Sequence, residues 1–160
     1  MDKTLENYLK DHDIKYDLYK HPPVFTVEES SRLIKNIPGL RTKSLFLKDE
    51  RGNFYLACLP AHKRLDIKSL KKKISKGKIQ FASPEELKSH LNLVPGSVSL
   101  FGMIYSSSVI LLIDKDVWEA DYAGFHPNVN TATIVLDNKN IKKFVSTLKC
   151  KTEILNLKNE

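Results

Sequence analysis

The sequence predicts a mixed α/β fold of the α+β kind: a mostly antiparallel sheet flanked by helices, in one domain over residues 1–160. Three observations carry that prediction. Short apolar runs and period-two segments are mixed with segments of helical period, without strict βαβ alternation. Pairs of strand-like runs lie close enough in sequence for hairpins. The composition is that of a globular chain: 160 residues, 41% hydrophobic and 28% charged, with no internal repeat, low-complexity tract or linker.

The elements follow in order. Leu5, Tyr8 and Leu9 share one face of a helix over 4–12, and Lys15 to Tyr19 alternates as a strand. Pro22-Pro23 forbids regular pairing. Thr26 to Glu29 matches a capping box that opens a helix carrying Val27, Leu33 and Ile34 inward and ending near Asn36, before Pro38-Gly39. Lys43 to Lys48 and Phe54 to Leu59 form a hairpin around Gly52. Asp66 caps a helix through Lys71, Lys72, Lys73 and Ile74, with Leu65 and Leu70 as its staple, ending at Gly77. Lys78 to Phe81 is a short strand, and Ser83 to Glu86 is a second capping box with proline at the first helical position.

Gly96 to Gly102 reads as a loop, Ser108 to Ile113 as a buried strand, Tyr122 to Asn128 as a loop and Thr131 to Leu136 as a strand. Asp137-Asn138 opens a helix with Ile141, Phe144, Val145 and Leu148 inward. Ile154 to Leu157 is an edge strand.

Several chemistries are missing from the sequence. It holds no His-Glu-x-x-His, Cys-x-x-Cys, Walker or Gly-x-Ser-x-Gly motif, so neither a metal nor a cofactor is implied. Cys58 and Cys150 read as packing residues rather than a disulfide framework or zinc site. The longest aliphatic run, Val109 to Ile113, is too short to span a bilayer, and Met1 to Glu6 lacks the apolar core of a signal peptide. A cytoplasmic protein without a membrane partner is expected. The net charge of +7 favours a polyanion, although a lysine-rich solvated surface reads the same way. Lys71, Lys72 and Lys73 lie in the densest basic run, which suits a phosphate backbone.

Three segments could carry chemistry. Lys43 opens an apolar strand, where its ammonium can meet a phosphate or an oxyanion, or simply protect the strand from aggregation. Backbone N–H groups of the Gly96 to Gly102 loop can hold a carbonyl oxygen as charge builds on it, or the loop can merely enter the next strand. His126, extended by Pro127, can hydrogen-bond a substrate with Asn128 supporting the loop, or be a structural histidine.

In order along the chain, His21-Pro22-Pro23-Val24-Phe25-Thr26-Val27-Glu28-Glu29, Lys43-Ser44-Leu45-Phe46-Leu47-Lys48-Asp49 and Leu59-Pro60-Ala61-His62-Lys63-Arg64-Leu65-Asp66 resemble the YbaK/ProX family. Phe81 to Leu87, Pro95-Gly96-Ser97-Val98-Ser99 and His126-Pro127-Asn128-Val129-Asn130-Thr131-Ala132-Thr133 continue the match, so that it spans about residues 2–148. The forms around Lys43 and His126 look most like the ProX branch. The resemblance implies a curved, mostly antiparallel sheet and a trans-editing aminoacyl-tRNA deacylase that hydrolyses alanyl-tRNA for proline. Cysteinyl-tRNA for proline is the near alternative, and a non-catalytic tRNA-binding module is another. The partners it implies are aminoacyl-tRNA, with prolyl-tRNA synthetase as a further candidate, and not DNA.

Carried over by residue, the resemblance makes Lys43 and Gly96 catalytic. Ser44 and His126 with Asn128 become substrate-binding, as do Ser97, Val98, Ser99, Phe101 and Gly102 of the loop. Lys43 would hold a tRNA phosphate or the terminal ribose. His126 would shape the amino-acid pocket or bind the α-amino group. Two positions depart from the family pattern: Leu100 stands where proline is usual, and Ser44 where the alanine-specific branch has asparagine.

Overall fold

The computed structural model describes residues 1–23, 26, 28, 36–74 and 77–157. The chain order is α1 (Lys3–Asp11), β1 (Asp17–Lys20), β2 (Leu40–Asp49), β3 (Phe54–Pro60), α2 (Ile67–Ile74), β4 (Ile79–Phe81), α3 (Pro84–Leu91) and a 3-10 turn (Leu100–Tyr105). It continues with β5 (Ile110–Asp114), α4 (Lys115–Trp118), β6 (Tyr122–Phe125), β7 (Ala132–Asp137), α5 (Asn138–Thr147) and β8 (Thr152–Leu155). The capping box at Thr26 to Glu29 and the helix expected after it lie outside the described residues, apart from Thr26 and Glu28 themselves.

The strands form one open sheet in the order β1-β7-β6-β2-β3-β5-β8, with β4 also on β2. Pairings β1–β7, β2–β3, β2–β4 and β6–β7 are antiparallel. Pairings β2–β6, β3–β5 and β5–β8 are parallel. The sheet is thus mostly antiparallel, as the sequence predicts, with parallel crossovers that the sequence pattern did not reveal.

Period two divides the sheet into two faces. Phe46, Leu56, Cys58, Leu111, Ile113, Ala123, Phe125, Ile134 and Leu136 face a core shared with α1, α3, α5 and the 3-10 turn. Leu47, Tyr55, Ala57, Leu59 and Leu112 face a smaller core covered by Leu65 and by Leu70 of α2. Burying a leucine such as Leu70, 1% exposed, contributes about 1.5–3 kcal/mol.

The helix starts use the caps expected of them. In α3 the Ser83 hydroxyl accepts from the Glu86 N–H at 3.1 Å, and the Glu86 carboxylate accepts from the Ser83 N–H at 2.9 Å. Asp66 accepts from the Ser69 N–H at 3.1 Å, and Asp137 from the Asn140 N–H at 2.8 Å. The β2–β3 turn closes on the buried Asp49. Its carboxylate accepts from the Arg51 and Asn53 N–H groups at 2.8 and 3.0 Å and from the Tyr55 hydroxyl at 2.7 Å. Burial would raise the Asp49 pKa, but these hydrogen bonds outweigh it and hold the carboxyl below its usual range.

One element corrects the sequence reading. Residues 122–125 are a strand, β6, rather than a loop. Its local composition signals a turn, but it is paired on both edges, with β7 and with β2. Tertiary pairing overrides a weak local preference. The sequence reading also assigned no element after Gly102, where the 3-10 turn runs to Tyr105.

The start of β2 depends on Gly39. Its φ is +91°, and a Cβ there would lie 2.9 Å from the Tyr122 carbonyl oxygen. Gly39→Ala should therefore cost about 1–3 kcal/mol in urea denaturation, whereas Gly52→Ala, with φ +84° but open space around it, should cost less.

Candidate active site

The site grows from a change of neighbours along β2. One edge of β2 pairs continuously with β3 from Thr42 to Lys48. The other edge meets β6 at Leu40 and Arg41, then β4 from Leu47 to Asp49. The edge between them, around Lys43, Ser44 and Leu45, has no strand on it among the described residues.

Register assigns the side chains. Leu40 pairs with Ala123, and both pack in the larger core. Arg41 pairs with Gly124, so both face the other side, and Lys43 and His126 follow two residues on. His21 joins that side: its ring sits 2.9 Å from the Thr133 hydroxyl, and Thr133 lies against Gly124. Its Nδ1–H donates to the Pro22 carbonyl at 2.8 Å, and the Thr133 hydroxyl holds the other side of the ring at Nε2.

Lys43 is half-buried and makes no ion pair among the described residues. Burial first, and then the charge of Arg64, hold its pKa below the ordinary lysine value. Both effects penalise an uncompensated cation, so an anion placed there relieves them. Arg64 is set in place by its neighbour: the Lys63 ammonium lies 3.0 Å from the fully buried Asp114 and 3.0 Å from the exposed Asp116, and 3.2 Å from the Leu157 carbonyl.

Ser44 faces the opposite way from Lys43. Its hydroxyl and that of Thr42 flank the buried Cys58 thiol, whose pKa burial pushes up to about 12. Such a thiol is inert, as the sequence suggested. Thr42 also donates to the Gly124 carbonyl at 2.7 Å, which fastens β2 to β6 where they part.

His126 is mostly enclosed. Burial lowers its pKa, the Ala132 carbonyl at 3.4 Å from Nδ1 opposes that, and the charge of His21 adds to it. The neutral ring then carries its hydrogen on Nδ1 and offers Nε2 as an acceptor. Asn128 takes a left-handed backbone, φ +62°, and its amide donates to the Asp2 carboxylate at 3.3 Å and the Phe101 carbonyl at 3.4 Å.

The loop before the 3-10 turn crosses the larger-core face. It leaves α3, where His90 lies 4.1 Å from the Phe54 ring, and reaches Phe101, whose ring centroid lies 5.5 Å from that of Phe125 on β6. The loop therefore passes from above β2 and β3 to above β6. Val94 to Ser97 is a turn with Pro95 and Gly96 at its centre; Gly96 has φ +90°, and the Ser97 N–H donates to the Val94 carbonyl at 3.1 Å. The Ser97 N–H is thus occupied, while those of Gly96, Val98 and Ser99 meet no acceptor among the described residues.

Ser99 caps the 3-10 turn, accepting from the Phe101 N–H at 3.1 Å. Leu100, where the family pattern has proline, opens that turn and is 1% exposed. Ser99 and the Gly102 N–H, which donates to the Ser99 carbonyl at 3.0 Å, tie the turn without proline. Phe101 and Gly102 lie in the core behind the loop; a Cβ on Gly102 would come within 2.6 Å of Leu93 Cδ1. Lys71, Lys72 and Lys73 are exposed on α2, which covers the smaller core, with Lys73 donating to the Asn156 carbonyl at 2.7 Å.

Comparison with known proteins fits this arrangement. Residues 21–144 match the family model described as the aminoacyl-tRNA editing domain. The chain is 36% identical over 136 residues to the prolyl-tRNA editing protein ProX of Acetoanaerobium sticklandii, covering 82% of each. The chain belongs to the aminoacyl-tRNA editing domain family. It is also 27% identical to the prolyl-tRNA synthetase associated domain-containing protein 1 of Danio rerio, across 89% of this chain and 80% of that one. A crystal structure described as a candidate trans-editing enzyme for prolyl tRNA synthetase shares the fold, with a TM-score of 0.77 at 17% identity over 100% of this chain and 99% of that one.

The editing-domain sequence reading missed two neighbours of the site, His21 and Arg64. Both stand in the segments that carry the resemblance, but only the fold brings them to Lys43 and His126. Among the described residues no cluster of His, Cys, Asp and Glu could hold a metal ion, and no helix is long and apolar enough to cross a membrane.

The lowered His126 pKa gives a pH test. Between the folded value and the unfolded value of 6.5 the unfolded chain binds more protons. The stability His126 confers is therefore complete above 6.5 and is lost as pH falls below it. Urea unfolding between about pH 7.5 and about pH 5.5 should show this loss, and His126→Gln should flatten it.

Proposed function

We propose that this protein hydrolyses alanyl-tRNA for proline in trans. Membership of the family makes it an aminoacyl-tRNA hydrolase; the amino acid and the residue roles are our reading. The observation that carries the reading is the half-buried Lys43 cation, which makes no ion pair among the described residues and stands on β2 on the same face as His126.

In this mechanism Lys43 holds a phosphate or the terminal ribose of the tRNA. The ester carbonyl points at the loop, where the N–H groups of Gly96, Val98 and Ser99 receive the negative charge that develops on oxygen. One such donor is worth about 3 kcal/mol in the transition state. Water, oriented by a hydroxyl of the terminal ribose, attacks the carbonyl carbon. The tetrahedral intermediate collapses, the ester C–O bond breaks, and the ribose oxygen leaves with a proton derived from the water. Free amino acid and uncharged tRNA result.

Neutral His126 shapes the amino-acid pocket. Exclusion of the larger proline by steric clash is the easier route to selectivity, because loss of a methylene discriminates by only about 1–3 kcal/mol. Lys71, Lys72 and Lys73 add salt-sensitive attraction for the tRNA backbone. We place the protein in the cytoplasm beside prolyl-tRNA synthetase, the source of the mischarged ester.

Hydrolysis of alanyl-, cysteinyl- and prolyl-tRNA for proline tests this. Alanine should be lost at least about tenfold faster than the other two, and Lys43→Ala should lower kcat/KM about a hundredfold. Faster loss of cysteine would replace the alanine assignment. Full activity in Lys43→Ala would overturn the role of Lys43.

A further inference from the structure

The open stretch of β2 has its own hydrogen-bonding chemistry, and it belongs to the backbone of Ser44. In a strand, the N–H and C=O of one residue point to the same edge, and successive residues alternate. The Arg41 carbonyl accepts from the Ala61 N–H at 2.8 Å, and the Asp49 N–H donates to the Asn53 carbonyl at 3.0 Å. Odd-numbered residues of β2 therefore address β3. The Phe46 carbonyl accepts from the Ala82 N–H at 3.0 Å on the other edge, so even-numbered residues address that side.

The N–H and C=O of Ser44 thus point together into the gap, after β6 has ended at Arg41 and before β4 begins at Leu47. No described residue meets either group, and Ser44 is only half-buried. Lys43 flanks the gap on one face of the sheet, and the Gly96 to Ser99 loop passes on the other.

A donor and an acceptor side by side in extended backbone are complementary to another residue with the same pair, as in an antiparallel ladder. An α-aminoacyl ester carries that pair, with an ammonium on Cα and a carbonyl group on the next carbon. We propose that the aminoacyl end of the substrate docks on Ser44 as a one-residue β-strand. Its ammonium donates to the Ser44 carbonyl, and its ester carbonyl accepts from the Ser44 N–H. The second lone pair of that oxygen remains for the loop. The interaction rests on the editing reading above and narrows its substrate class. The enzyme acts on esters with a free α-amino group and spares N-acylated and peptidyl esters, which lack the ammonium and carry bulk where β4 would begin.

The test uses the full chain with tRNA for proline carrying alanine, N-acetylalanine or propionate, each enzymatic rate divided by its spontaneous rate. Both analogues should be hydrolysed at least about tenfold more slowly than alanine, the loss expected for an unmade charge-assisted hydrogen bond. Replacing the Ser44 amide by an ester, through incorporation of the α-hydroxy analogue of serine, removes the N–H from the gap while every side chain stays, weakens the Lys43 carbonyl only as an acceptor toward β3, and should lower kcat/KM by about tenfold or more. A second readout is independent of that variant. In 15N-labelled wild type, the non-hydrolysable 3′-alanylamido-3′-deoxyadenosine should shift the Ser44 amide resonance downfield and slow its hydrogen exchange. Equal rates for the three esters, or an unmoved Ser44 resonance with the analogue bound, would overturn the proposal and leave the editing reading standing. No hydrolysis of the alanyl ester by wild type would overturn both.

Discussion

Everything functional here depends on one strand that changes neighbours. β2 is ten residues long and held along one edge by β3, so its course is set by the hairpin. On the other edge it serves two short strands in turn, β6 and then β4. A continuous sheet would leave backbone and side chains at the middle of β2 sealed. The interruption leaves a stretch held by β3 on one edge and met by no described strand on the other, a rigid platform of the kind that positions ligands well. Gly39 lets β2 approach β6, and the Thr42 hydroxyl on the Gly124 carbonyl marks where they separate.

Period two then separates tasks between adjacent residues. Phe46 and Leu56 fill the larger core, with Thr42 and Ser44 against Cys58 on that side. Leu47 fills the smaller core, with Lys43 on its face. A one-residue slip would bury Lys43 among apolar groups and expose Phe46, so the hairpin register protects the site as well as the fold. The buried Lys63–Asp114 pair acts in a similar way at a distance. Removing one partner of such a pair typically costs about 3–5 kcal/mol. It pins the segment that brings the charge of Arg64 toward Lys43.

Much of this was legible in the sequence, for definable reasons. The helix starts at Asp66, Ser83 and Asp137 follow from local side-chain to backbone bonds, so local sequence suffices. The β2–β3 hairpin follows from two apolar runs around Gly52. β6 was not legible, because Gly124 and the His126-Pro127-Asn128 run signal a turn, and only pairing with distant strands makes 122–125 extended. The three parallel pairings were hidden likewise, since they join strands remote in sequence. Lys43, Gly96 and His126 stood out as residues, but no spacing rule could bring together His21, Lys43, Arg64 and His126. Nor could it show that the Ser97 N–H is tied up in its turn.

The chemistry explains why so few side chains suffice. An aminoacyl ester is already labile, so neither a nucleophile nor a metal has to be built to open it. On the proposed reading, what the protein supplies is orientation, a cation for the tRNA end, and donors where the oxyanion forms. Backbone groups are economical for this. They are fixed by the ladder, take up no pocket volume, and cannot be lost by changing a side chain. On the alanine reading proposed above, a site that admits so small a residue has little room for polar side chains. Placing the donors in a strand edge and a loop leaves that room, and leaves the walls free to decide which amino acid enters.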